Sequence, residues 1–157
     1  MKYESTKDLI QYYWERLYPY VYSLLITYFF YHNSYLLHNY YHLLKILPSN
    51  SLTISSTLLG FFLTILTIIS SINTRRIRFL RDSGIGYQSL MKYLHHAIVM
   101  NMINIACSIL ILVLNINSIS TFNILLLIYL YFFILTCAML TSMRFAIIFI
   151  KLLADPK

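Results

Sequence analysis

Residues 73–93 read NTRRIRFLRDSGIGYQSLMKY. Arg75, Arg76, Arg78 and Arg81 fall within seven positions, Lys92 follows, and Asp82 is the one acid set against them. Apolar runs long enough to cross a bilayer stand on both sides. Cations gathered between two such runs mark a connection kept in the cytoplasm, by the positive-inside rule. The stretch therefore predicts a basic cytoplasmic helical hairpin over 73–96, and that assignment sets the direction of every other segment.

Composition points the same way. Of 157 residues, 59% are hydrophobic and only 11% charged, with a mean hydropathy of +0.69. Water-soluble domains carry about 25% Asp, Glu, Lys and Arg, so the chain is read as an integral membrane protein. A formal charge of +7 would suggest nucleic acid in a soluble protein. Here the cations lie beside membrane segments, where topology and anionic lipid account for them, and no direct nucleic-acid binding is expected. Cys107 and Cys137 fall inside apolar runs, which favours two buried thiols over a disulfide or a zinc site. Residues 1–16 mix acids and bases with no small-residue cleavage site after them, so no removable signal peptide is read there.

Taken in order, residues 1–17 place Leu9, Ile10, Tyr13, Trp14 and Leu17 at helical spacing. They predict an interfacial amphipathic helix, with Pro19 where the chain turns into the bilayer. Four spans follow, at about 20–37, 52–72, 97–114 and 124–142. His38 and His42 lie four apart, but no acid or cysteine is near enough to complete a metal site, so none is assigned. The second span is expected to begin after Pro48. It carries Thr53, Thr57, Gly60, Thr64 and Thr67 at steps of four and three, a small-residue row that lets another helix approach closely. In the third span Ala97, Asn101, Asn104 and Ser108 keep one face, which is read as the complement of that row. Asparagines in hydrocarbon must meet protein or water, so Gly60, Thr64, Thr67, Asn101, Asn104 and Ser108 are the candidate packing or pore-lining residues. Arg144, Lys151 and Lys157 follow the fourth span and place the C-terminus inside. The expectation is an all-α, four-helix membrane bundle forming one domain, with both termini cytoplasmic.

The chemistry of catalysis is not legible. No acidic pair, nucleophile with a base, or metal cluster occurs, so no catalytic residue, cofactor or metal is assigned and enzyme activity is not expected. Nor does any span carry a charge at its centre, which proton-coupled transport and voltage sensing usually require.

Residues 60–94, GFFLTILTIISSINTRRIRFLRDSGIGYQSLMKYL, in which a span flows into a basic hairpin, resemble the small four-span membrane proteins of bacterial anti-phage defence. Within that group the layout is most similar to the membrane subunit of the Kiwa system. The resemblance implies a homo-oligomer, a tetramer, in the bacterial inner membrane, which docks a cytosolic DNA-binding protein and reports disturbance of the envelope by phage. It also implies that Arg75, Arg76, Arg78, Arg81 and Lys92 are the partner- or lipid-binding residues.

Two functions are therefore expected to compete. One is a membrane scaffold or sensor that offers its arginine row to an acidic partner surface. The other is a pore-forming effector that gathers Asn101, Asn104, Ser108 and Thr64 around a water path and depolarises the membrane.

Overall fold

The computed structural model describes residues 6–33, 40–71, 85–114 and 121–154. Residues 72–84, which include the arginine cluster at 75–81, residues 34–39, which include His38, and residues 115–120 lie outside the described residues, as do the side chains of 85–88.

Among the described residues four helices form: α1 Thr6–His32, α2 Tyr40–Ser71, α3 Ile85–Val113 and α4 Thr121–Ala154. The fold is all-α. Three segments are long and apolar enough to cross a membrane, His42–Ile69 in α2, Ser89–Val113 in α3 and Asn123–Lys151 in α4. Their outward faces carry large apolar side chains such as Phe61, Leu63, Ile103, Leu110, Leu126 and Ile147, a coat that water would not tolerate and lipid would. This is a multi-pass membrane protein.

The helices outrun the expected boundaries. Neither proline ends an element: α1 passes through Pro19 and α2 through Pro48, so the break expected at Pro19 and the helix start expected after Pro48 do not form. An interior proline removes one backbone bond at a cost of about 3 kcal/mol. Membrane helices tolerate this where neighbouring helices cover the site, and both prolines are fully buried. Each is also followed by a serine whose hydroxyl donates to the proline carbonyl, Ser23 at 2.7 Å and Ser51 at 3.2 Å. At 32 residues, α2 is about 48 Å long at 1.5 Å per residue, more than a hydrocarbon core of about 30 Å.

The chain runs up and down. Ser55 meets Asn104 and Ser51 meets Ser108, so α2 and α3 are antiparallel. Asn101 meets Ser142, which makes α3 and α4 antiparallel, and Phe30 packs on Phe132, which does the same for α1 and α4. The buried positions of α2 (Leu44, Pro48, Ser51, Ser55, Phe62, Ile65, Ile69) and of α3 (Leu90, Leu94, Ala97, Asn101, Asn104, Ser108, Ile111) follow heptad steps of four and three. That repeat keeps one seam facing its neighbour over the full length of both helices.

Two apolar clusters cap the bundle. Phe62, Ile65, Ile69, Leu90, Leu94, Ala97 and Phe145 fill the end where α2 finishes and α3 starts. Leu44, Ile111, Ile124, Ile128 and Tyr131 fill the other. A polar layer lies between them.

Candidate functional site

The polar layer is built by serines and asparagines that share the heptad seams with the apolar core. Asn101 Nδ2 donates to the Ala97 carbonyl and to the Ser142 hydroxyl, both at 2.8 Å. Ser142 gives its own proton to the Ala138 carbonyl at 2.7 Å, so its oxygen is left to accept. Asn104 Nδ2 donates to the Ser55 hydroxyl at 2.8 Å. Further along, the hydroxyls of Ser51, Ser108 and Tyr131 bond to one another, with Ser51 to Ser108 at 3.0 Å and Ser108 to Tyr131 at 2.9 Å. The Asn104 carbonyl, 2.7 Å from the Ser108 hydroxyl, is an alternative acceptor for the one proton that hydroxyl carries. Side chains from α2, α3 and α4 are thereby tied together between the two apolar clusters.

The layer is closed and incompletely satisfied. Asn101, Asn104 and Ser108 are all 0% exposed, so no path from outside reaches them within the chain. Yet Asn101 Oδ1 and Asn104 Oδ1 accept no hydrogen bond, and an acceptor left unpaired in such surroundings costs free energy.

The threonine row lies elsewhere. Thr53, Thr57, Gly60, Thr64 and Thr67 are exposed on α2, and the threonine hydroxyls bond back to carbonyls four residues earlier at 2.8–3.2 Å. A side chain at Gly60 would meet nothing within 4 Å. The expected complement of the asparagine face is thus replaced by Ser51 and Ser55. The reason is geometric: the threonine row is offset by two residues from the buried row, about 200° around a helix of 3.6 residues per turn. The structure brings Asn101, Asn104 and Ser108 together and leaves Gly60, Thr64 and Thr67 on the opposite side of α2.

At the end of the bundle where α2 finishes and α3 starts stands Arg144, which by sequence is a charge flanking the fourth span. Arg144 is 8% exposed. Its guanidinium carbon lies 4.1 Å from the Tyr93 ring centroid and 5.2 Å from that of Tyr18, a cation held by aromatic faces from α3 and α1. Nearby, the Tyr20 hydroxyl and His96 Nε2 are 2.9 Å apart. Ser89, Ile147 and Ile148 complete a cleft of about 410 Å³ around Tyr18, Tyr93 and Arg144. Lys92 and Lys151 are exposed at the same end.

Among the described residues no group of three or more His, Cys, Asp or Glu side chains could share a metal ion. His32 and His42 are exposed. Cys107 is half-buried and Cys137 is buried.

No family model, curated protein or solved structure matches the chain.

Proposed function

We propose that the chain is a membrane-embedded scaffold or sensor subunit of a bacterial anti-phage defence complex. It sits in the inner membrane with four spans and both termini in the cytoplasm, α1 supplying the remaining span. It assembles as a homo-oligomer through the exposed face of α2, where the threonine row and Gly60 leave room for a second backbone. Its basic segment between α2 and α3, with Arg75, Arg76, Arg78 and Arg81, docks a cytosolic protein.

One observation carries this reading. The two helices that flank the basic segment are joined along their length, by the Ser55–Asn104 and Ser51–Ser108 bonds and by the Phe62–Leu94 cluster. A change in their packing within the bilayer would move both ends of the segment together, and packed helices shift between discrete arrangements rather than deforming smoothly. Reversing charge at Arg76 and Arg78 to Glu tests the docking claim. Loss of the co-purifying partner with normal membrane insertion is expected, and an unchanged partner yield would overturn it.

The unpaired oxygens of Asn101 and Asn104 favour a second reading, a pore-forming effector whose polar layer opens and hydrates. Leakage of liposomes by the protein alone, abolished by Asn104→Leu, would establish it. Tight vesicles at high protein density would exclude it.

A further inference from the structure

The cleft around Arg144 has a chemistry that neither the scaffold nor the pore uses. Its floor is a cation buried to more than nine-tenths of its surface. Its walls are the Tyr18 and Tyr93 rings, the Ser89 hydroxyl and the apolar side chains of Ile147 and Ile148. A guanidinium flanked by rings is held in orientation, and its five in-plane N–H donors can serve more than one acceptor at once. The volume of about 410 Å³ lies within the range of small-molecule sites, about 300–1,000 Å³.

Position within the bundle selects the ligand. Lys92 on α3 and Lys151 on α4 are exposed at this end of the bundle, and exposed cations beside apolar membrane helices mark the headgroup level. Arg144 lies seven residues before Lys151, about 10 Å along a helix, so the cleft stands where hydrocarbon gives way to headgroups. Arg144, Ile147, Ile148 and Lys151 share one stripe of α4 at steps of three and four. Ile147 and Met143 are exposed on the lipid-facing side, so the cleft opens onto the surface that acyl chains cover.

We propose that this cleft binds the phosphate of an anionic phospholipid, held by the Arg144 guanidinium and the Ser89 hydroxyl, with an acyl chain against Ile147 and Met143. Arg meets a phosphodiester in a paired, charge-assisted geometry, and the choline ammonium that accompanies this group in a zwitterionic lipid is disfavoured where further cations stand close by. Exposed Lys92 and Lys151 at the same end add to the attraction for net negative lipid. The site requires neither a protein partner nor an open pore.

The test uses the full chain, delipidated in mild detergent and titrated with phosphatidylglycerol or with phosphatidylcholine of the same acyl chains, bound lipids being counted by native mass spectrometry. One phosphatidylglycerol per chain is expected to persist under conditions that strip phosphatidylcholine. Arg144→Gln and Ser89→Glu are each expected to weaken it by roughly tenfold or more, the loss of one charge-assisted contact. Ser89 is half-exposed at a helix end, so Ser89→Glu carries the test should Arg144→Gln fail to fold, folding being checked by helical circular dichroism and elution volume. Inorganic phosphate at millimolar concentration is expected not to displace the lipid. Equal retention of the two lipids, retention of phosphatidylglycerol by a folded variant, or its displacement by free phosphate would each overturn the assignment.

Discussion

Asn104 Nδ2 donates to the Ser55 hydroxyl at 2.8 Å, joining α3 to α2 within the polar layer between the two apolar clusters. Both residues are 0% exposed. In lipid the hydrophobic effect gives no net drive for helices to associate, so packing and such bonds hold them together.

The strength of that bond is measurable as a coupling. Interhelical hydrogen bonds in membranes average about 0.6 kcal/mol and reach about 1.7 kcal/mol. A double-mutant cycle of Asn104→Ala and Ser55→Ala, read by unfolding in mixed detergent, is expected to give a coupling in that range. A coupling indistinguishable from zero would show that the bond does not hold α2 to α3.

The hydroxyl cluster of Ser51, Ser108 and Tyr131 should behave as a unit. Tyr131→Phe removes one hydroxyl and leaves the Ser51–Ser108 bond, so a loss of about 0.5–1.5 kcal/mol is expected. In a Ser51→Ala background the same substitution should cost clearly less, because one of its two partners is already gone. Full additivity of the two losses would count against a shared network.

The two faces of α2 should respond oppositely to bulk. Ser55→Leu forces a large side chain into a filled site and strips Asn104 of its partner, with a cost of about 1–3 kcal/mol or more. Thr57→Leu, on the exposed face, should stay within about 0.5 kcal/mol. Similar losses at both positions would mean that the buried seam has been misassigned.

Gly60 separates the stability of the chain from assembly. Its surroundings are open within one chain, so Gly60→Ile should leave the monomer fold intact. If the threonine face joins copies of the chain, the same substitution should shift native mass toward the monomer. An unchanged oligomer would place the seam on another face.

The Phe62–Phe145 contact anchors the end of the bundle where α2 finishes and α3 starts. The rings meet edge to face, 5.3 Å apart and at 85°, with both side chains buried. Truncation by Phe62→Ala should cost about 3–5 kcal/mol, as for large cavities in protein cores. A loss below about 1 kcal/mol would mean that the cluster is not tightly packed.

How much of this was legible differs from element to element. The apolar runs declared the membrane helices because the bilayer admits few alternatives. The asparagine face of α3 could be read as one face, since its residues keep heptad spacing. Its partner could not. The buried row and the threonine row on α2 repeat with the same four–three steps two residues apart, and spacing alone does not say which one α3 selects. Serine at 51 and 55 with Phe62, Ile65 and Ile69 on the same row was the available signal, a seam that continues into apolar core. Local propensity makes Pro19 and Pro48 breaks, whereas burial against neighbouring helices overrides it. Arg144 looked like a topology charge after the last span; only the tertiary fold brings Tyr18 and Tyr93 to it from two other helices.

The central claim is that this membrane bundle serves a cytosolic partner through its basic segment. It is tested most directly by mild-detergent purification of the native protein from its own host, with native mass and identification of whatever accompanies it. The account predicts a homo-oligomer carrying a stoichiometric soluble protein, lost when Arg76 and Arg78 are reversed to Glu. A homo-oligomer recovered alone, or a partner retained by the reversed variant, would contradict it.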